Sequence, residues 1–479
     1  MLCNALCRLI ARTRLLWRAD KFNSRSSLGK SMPDLHDAIA KLSRLIRHLA
    51  AQVKSRQELP VFSLGVQSDF VSFSDERLGG LELTNDDASE YRATVEGVYA
   101  AVSSKSEHIS QAAVESFVQE GILAAVDPVG ASEEKDFEKR LASALKELSA
   151  QLRKEPSLRE VHFLVDGISK DNLPHSFGTC EFYFGDETSV ARLAIRVRKI
   201  FDSLQRKEHV EWAKNEAVDK IRSLIMGKTG VVAAVYAVDS NAAHVLAKRT
   251  ARQAVDILNF YANLGGNPPS EVSLFSEGRG SGVLSTFLLS DELPSYSAPS
   301  ERFGPYIPFS FAAEYLDKAG FGRMSDMLGK RKERTEIEDR LISAFQCAGR
   351  ASVEPRKEAA FLWFAIALES LLSDRNDSSE ITEKLALRGA HLIARNIKSR
   401  QTVYKNLKRL YRIRSRVVHS GSVEVGESQL SEIRFYSRVA LLTMLCSTQF
   451  AAMCTDDDIT DWFRSKLLDT GSDTEPAGS

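Results

Sequence analysis

Residues 359–372 read AAFLWFAIALESLL, and this stretch decides the fold of the last third of the chain. Apolar side chains occupy nearly every position, so a helix built from it is apolar on all sides and needs neighbours all round it. The run is too short to span a membrane, which takes about 20 apolar residues. Its one carboxylate, Glu369, must be paired or protonated if it is buried. We therefore predict a helical bundle with this segment at its centre.

Outward from this segment, helical periodicity covers nearly all of 308–463, whereas short β-branched or aromatic segments alternate with helices upstream. The predicted upstream helices are 31–58, 87–104, 109–122, 132–154, 187–226 and 241–262. The predicted strands are 61–66, 70–73, 161–165, 180–184 and 231–238, with one more near 283–289 in a Gly-, Pro- and Ser-rich stretch at 263–307. The pattern predicts an α+β protein, with a mixed α/β N-terminal region followed by an all-α bundle.

These patterns divide the chain into four segments. We expect a basic N-terminal extension at 1–30, an α/β sensor or regulatory region at 31–300, a helical domain at 308–465 and a disordered tail at 469–479. The extension could also act as a transit peptide or a weak amphipathic anchor. Its simplest interpretation is a frayed end.

Composition narrows the classes of function. The 479 residues hold 64 Lys+Arg and 64 Asp+Glu, so any basic site must be local. Six cysteines show neither a CxxC pair nor zinc spacing, which favours a reducing compartment, and we expect a cytoplasmic protein without a metal, a cofactor or a membrane partner. Gly227-Lys228-Thr229 lacks the earlier glycine of a phosphate loop, since Arg222 stands there. His162 and His175 are a weak candidate for metal binding.

A strongly basic segment lies within the predicted bundle. Residues 384–416 contain eleven lysines and arginines with no aspartate or glutamate among them. One interpretation is a solvated face balanced by acids elsewhere in the chain. In a neutral protein, an anion-binding surface is the better hypothesis, and RNA phosphate suits it. The residues that we expect to bind RNA are Lys405, Lys408, Arg409 and Arg416.

The helix predicted at 402–419 carries an arginine where a leucine is expected. Its apolar stripe consists of Val403, Leu407, Leu410, Val417 and Val418. At 100° per residue, Arg414 falls within this stripe. A buried arginine needs a partner, which could be Glu369, an interface or a bound phosphate. His419 follows at the helix end, before a Ser-Gly stop.

These residues resemble a known family. The pattern Arg350-Ala351, Phe361-Leu362-Trp363, Ala367–Leu372 and Tyr411–Gly421 is similar to that of ApeA-like HEPN domains, over about 335–455. Such domains carry an Arg-x4–6-His motif. Arg414 and His419 match the spacing of four, and Arg412 with His419 matches six. Many members have Asn, Asp or His directly after the arginine, where this chain has Ser415.

The resemblance implies a four- or five-helix bundle that dimerises across the motif. It also implies metal-independent RNA cleavage and a role in phage defence or as a toxin. Arg414 and His419 would be catalytic, supported by Glu369, Tyr411, Arg412 and Ser415. The partners would be RNA, a second copy of the chain, and an unknown trigger sensed by the N-terminal region. Some such domains keep the fold without catalysis, so an inactive module for RNA binding or dimerisation is the alternative.

The chemistry is coherent, although the helix geometry raises a difficulty. RNA carries its own nucleophile, the 2′-OH, so a histidine that moves its proton and an arginine that stabilises the phosphate need no metal. Positions five apart on a helix lie about 140° apart, however. Arg414 and His419 therefore converge only if the helix end is distorted or two protomers contribute.

Overall fold

A computed structural model gives the conformation of most of the chain. It describes residues 35–56, 70–73, 81–84, 86–103, 107–125, 134–168, 170, 174–203, 210–264, 272–274, 286–289, 295–296, 313–330, 333–373, 381–420 and 424–468. The predicted extension at 1–30, the predicted strand at 61–66 and the predicted tail at 469–479 lie outside these residues.

The chain folds as two compact units. The described residues of the first unit lie within 35–159 and 235–246, and those of the second lie within 160–234 and 247–468. The units therefore divide the chain differently from the boundaries predicted near 300, because the sheet that begins around 160 belongs to the same unit as the helices after 313.

The first unit is mainly helical. Its helices are α1 (Leu35–Arg56), α2 (Asp86–Ser103), α3 (Gln111–Ala125) and α4 (Glu134–Leu152), and the strands β1 (Phe70–Phe73) and β2 (Leu81–Thr84) form an antiparallel pair. The apolar stripe of α1 is buried against the other helices, with Leu42, Tyr91, Val114 and Leu148 in one core. The predicted helices match these four closely, and the 3.6-residue period is clearest in α1 and α4.

A seven-stranded sheet, counted over the described residues, forms the β part of the second unit. Its strands are β3 (Ser157–Asp166), β4 (Ser176–Phe177), β5 (Cys180–Phe184), β6 (Thr229–Ala237), β7 (Ser273–Leu274), β8 (Thr286–Leu289) and β9 (Ser295–Tyr296). The order is β4-β5-β6-β3-β8-β9, with β7 also paired to β3. β5 runs antiparallel to β6, and β3 runs antiparallel to β8. The predicted strand near 283–289 corresponds to β8.

The single long helix predicted over 187–226 is wrong. Two helices take its place, α5 (Glu187–Ser203) and α6 (Val210–Ile225). They pack together over the sheet, with Val197, Ile221 and Ile225 buried beside Leu164 and Tyr183. One straight helix of this length would extend about 60 Å and could not keep its whole apolar stripe on a small sheet.

Helix α7 (Ser240–Ala262) connects the sheet to the C-terminal bundle. Phe260 packs edge-to-face on Phe345 of the bundle, with ring centroids 4.6 Å apart. Gly349 lies at the closest approach of the two helices, since a Cβ there would come within 1.6 Å of the Asp256 carbonyl oxygen. Only glycine permits this approach, so the bundle and the sheet form one packed body within the second unit.

The bundle has the helical architecture predicted from the sequence. Its helices are α8 (Ala313–Lys318), α9 (Phe321–Gly329), α10 (Glu336–Val353), α11 (Lys357–Leu372), α12 (Ile381–Ile393), α13 (Ile397–Ser420), α14 (Glu427–Cys446), α15 (Thr448–Ala451) and α16 (Asp456–Leu468). The AAFLWFAIALESLL segment forms α11, and most of its side chains are buried, as its all-round apolar character requires. None of the described helices is both long and apolar enough to cross a membrane.

Candidate functional site

Helices α13 and α14 place the candidate site at one end of the bundle. The two helices run antiparallel, because Asn406 bonds to Tyr436 while the later residue Arg409 pairs with the earlier Glu432. Helix α13 continues without a break to Ser420, so His419 lies in its last turn. No distortion at the helix end therefore brings His419 toward Arg414.

Arg414 points into the bundle and pairs with Glu369 of α11. Its Nε lies 2.9 Å from Oε1, and its Nη2 donates to Oε2 at 3.1 Å. Both side chains are mostly buried, with 20% and 21% of their surface exposed. The predicted partner of the inward arginine is thus confirmed to lie in the same chain, so Arg414 does not need an interface or a phosphate to neutralise its charge.

Tyr411 also faces inward and holds α13 against α11. Its hydroxyl donates to the Ala365 carbonyl at 2.8 Å, and burial raises the pKa of this phenol well above its usual value. From α14, the Ser437 hydroxyl donates to the Phe364 carbonyl at 3.1 Å. These bonds hold α13 and α14 against the central helix, so Tyr411 has a structural role. Its phenol stays protonated because burial raises its pKa.

His419 faces solvent together with three other polar residues of the motif. Arg412, Ser415, Arg416 and His419 are all exposed. On a regular helix these positions lie within an arc of about 100°, whereas position 414 lies on the opposite side. The structure therefore brings His419 together with Arg412, Ser415 and Arg416, and it separates His419 from Arg414 within one protomer.

The basic segment is partly neutralised by acids outside it. Lys408 pairs with Glu383 at 2.6 Å, and the hydrogen bonds from Lys408 and from the Tyr404 hydroxyl hold the pKa of Glu383 below its usual value. Arg409 pairs with Glu432. Lys405 is exposed and makes no ion pair within the described residues. Acids outside the segment thus balance Lys408, Arg409 and Arg414, while Lys405 and Arg412 are exposed. Anion binding by this segment stays a prediction.

Sequence reasoning missed a buried polar cluster between α7 and α10. The Asp256 carboxylate accepts bonds from Arg350 Nε at 2.7 Å and from Gln346 Nε2 at 2.9 Å. The Arg350 guanidinium also lies over the Trp363 ring, 5.4 Å from its centroid. Burial raises the pKa of Asp256 against the lowering effect of Arg350. Arg350 belongs to the family-like pattern, and its contacts give it a structural role.

A second buried cluster lies on the sheet. His162 Nδ1 lies 3.3 Å from the Tyr183 hydroxyl, and burial, with Arg196 and Arg192 nearby, lowers the pKa of His162 to about 3. Glu160 pairs with Arg196 at the edge of this cluster. Among the described residues, no group of three or more His, Cys, Asp or Glu could hold a metal ion. A neutral, buried imidazole of this kind packs as a core residue.

No family model, no curated protein and no solved structure matches this chain. The likeness to HEPN domains therefore rests on the motif residues and their spacing. The bundle and the site geometry have to carry any functional conclusion by themselves.

Proposed function

We propose that the protein is a HEPN-type, metal-independent endoribonuclease in which His419 moves a proton. The observation that carries this proposal is the exposed position of His419 on a helix whose solvent face is rich in cations. A histidine is suited to proton transfer near neutral pH, and the cations suit a phosphate backbone. A role in phage defence or as a toxin, with a trigger sensed by the N-terminal region, belongs to the same proposal.

The proposed reaction is an internal transfer within RNA. The neutral His419 imidazole accepts the 2′-OH proton while the 2′ oxygen forms a bond to phosphorus. The bond from phosphorus to the 5′ oxygen breaks, and that oxygen takes a proton from solvent. The products are a 2′,3′-cyclic phosphate and a 5′-OH end. An arginine beside the phosphate stabilises the negative charge of the pentacoordinate state.

Arg414 can contact a phosphate beside a His419 only if that histidine belongs to a second copy of the chain. Glu369 occupies the Nε–Nη2 edge of its guanidinium, which leaves the N–H groups of Nη1 for another acceptor. Because α13 is regular to Ser420, the His419 that Arg414 would serve has to come from a second copy. We propose that the protein forms a homodimer, and a composite site is one arrangement that a dimer would permit.

The ion pair between Arg414 and Glu369 favours a second candidate function. An arginine whose charge is neutralised by a carboxylate of its own chain suits a bundle that has lost catalysis. Such a module would bind RNA through its basic face, or bind a second copy of the chain, without cleaving anything.

An RNA-cleavage assay in EDTA separates the two functions. The proposed nuclease cleaves RNA in excess EDTA and leaves cyclic phosphate ends, which a phosphatase removes only after acid opening. A protein that binds RNA in a gel-shift assay without cleaving it supports the second candidate. Absence of both binding and cleavage, with purified protein at micromolar concentration, contradicts RNA binding by either candidate and leaves the module that binds a second copy of the chain.

A further inference from the structure

The outward face of α13 carries a four-residue arrangement that the Arg-x4-His spacing does not describe. Arg412, Ser415, Arg416 and His419 occupy positions i, i+3, i+4 and i+7, which are mutual neighbours on a helix surface. All four side chains are exposed. Arg416 precedes His419 by one turn, and Arg412 precedes it by two turns, about 10 Å along the axis. A phosphate beside His419 therefore has two guanidinium groups within reach.

Arg414 is poorly placed for the same phosphate. It lies on the opposite side of α13, and the Glu369 carboxylate occupies one edge of its guanidinium. The C-terminal end of a helix carries a partial negative charge, which opposes a bound anion. The attraction has to come from side chains on the outward face, and Arg412 and Arg416 supply it there.

We propose that Arg412 and Arg416 hold the scissile phosphate of RNA beside His419 in a single protomer, with the Ser415 hydroxyl as a further donor. Arg414 is then a positioning residue that keeps α13 on the central helix. This assignment rests on the proposed ribonuclease function, and it replaces the composite arrangement with a site that one chain completes.

The same face extends toward the start of α13. Arg409 and Lys405 lie at three and seven residues before Arg412, and both are exposed. Two acids lie beside this face: Glu432 pairs with Arg409, and Glu383 pairs with Lys408 and has its pKa lowered in part by the charge of Arg412. A strand that follows the exposed positions of this face from Lys405 to His419 passes Lys405, Arg412 and Arg416. Single-stranded RNA fits this narrow surface, because its bases can turn away from it.

Paired substitutions test the assignment through kcat and KM. Removing both guanidiniums, as Arg412→Gln with Arg416→Gln, should lower kcat by about 100-fold or more, since each donor to the developing charge is lost. The control is Lys139→Gln with Lys146→Gln, which removes two exposed charges two turns apart on α4 and should leave both constants within about twofold. An apolar exchange of the ion pair, Glu369→Leu with Arg414→Met, should cost less than about tenfold in kcat.

A binding measurement keeps the assignment testable if the protein proves not to be a nuclease. In NMR titrations with a 2′-O-methyl RNA hexamer, which cannot be cleaved, the His419 ring signals should shift. The shift should vanish in the Arg412→Gln, Arg416→Gln variant and persist in the Glu369→Leu, Arg414→Met variant. Binding of this kind without cleavage of ordinary RNA overturns the proposed function alone.

Two results overturn the assignment itself. The first is cleavage that survives loss of Arg412 and Arg416 but disappears with Arg414 in a folded protein. The second is a His419 ring that the hexamer does not perturb in the wild-type chain.

Discussion

The two faces of α13 use the same residue type for different purposes. On the inward face, Arg414 meets Glu369 in a side-by-side ion pair, and Tyr411 bonds to the central helix. On the outward face, Arg412 and Arg416 flank His419 in solvent. Of the two arginines that match the motif spacing, the helix thus turns Arg414 away from the histidine and keeps Arg412 on the same face as the histidine. Spacing along a sequence specifies a site only after the helix phase has been taken into account.

The largest expected effect lies on the outward face. His419→Ala should lower RNA cleavage by about 10²–10⁴-fold, since general acid–base catalysis contributes an acceleration of that size. The thermal midpoint should change little, because the ring is exposed. The control is His175→Ala, which removes another exposed imidazole far along the chain. A well-folded His419→Ala protein with full activity contradicts the ribonuclease proposal.

The next effect belongs to the inward face and concerns stability. Arg414→Ala leaves the mostly buried Glu369 carboxylate without its partner, which should lower the free energy of unfolding by about 1–3 kcal/mol. Urea unfolding followed by circular dichroism measures this change. Arg416→Ala is the matched control on the outward face, and it should cost about 0.5 kcal/mol or less.

The double variant Glu369→Leu with Arg414→Met sharpens the same comparison. Replacing both members of a buried ion pair with apolar side chains of similar volume is often neutral or stabilising. We expect most of the stability lost in Arg414→Ala to return. If the double variant is less stable than Arg414→Ala, the pair does not act as the structural link between α11 and α13.

Much of the fold could be predicted because periodicity is a local property. The helices of the first unit and the all-round apolar segment at 359–372 reveal themselves in the order of their residues. The break between α5 and α6 could not be seen, because both halves carry compatible periods and only packing on the sheet separates them. The short strands β7 and β9 form through pairing with β3 and β8, which a local pattern does not contain.

The candidate site could likewise be predicted only in part. The phase of the helix predicted at 402–419 identifies Arg414 as inward, and the lone carboxylate of the apolar segment identifies Glu369 as a possible partner. The cluster of Asp256, Gln346 and Arg350 escaped, because it joins helices about 90 residues apart in sequence. Gly349 does stand out in the sequence, because glycine is unfavourable in the middle of a helix. The close helix contact that requires it becomes evident only once the crossing helix α7 is known.

A smaller effect should separate exposed cations from paired ones. Lys405→Glu reverses a charge that has no ion-pair partner among the described residues, and it should weaken RNA binding by about tenfold at low salt. Lys408→Glu reverses a charge that Glu383 already offsets, so its specific effect on RNA should be smaller, with a loss of stability instead. Fluorescence anisotropy across a salt series measures both. Equal losses of affinity would show that position on the face does not matter.

The smallest expected effect on cleavage concerns the proposed dimer. Phe435 is 58% exposed on α14, and Val439 and Leu442 continue the same apolar face one and two turns later, whereas Leu445 and Phe450 are buried within the protomer. We expect two copies to associate through Phe435, Val439 and Leu442. Phe435→Ser should then shift the protein toward monomer in light scattering at micromolar concentration. Arg434→Ser, a neighbouring change of a half-buried cation, is the control.

Cleavage per protomer should survive this loss of the dimer within about threefold. Because α13 and α14 are antiparallel and Tyr436 lies level with Asn406, Phe435 is some 13 residues from His419, about 20 Å along the axis of α13. An interface centred on Phe435 therefore leaves the outward face of α13 near His419 uncovered. A monomeric Phe435→Ser protein without activity would restore the composite site and give Arg414 of one copy a catalytic role at His419 of the other. A monomer that still cleaves RNA leaves Arg412 and Arg416 as the cations that can serve the histidine.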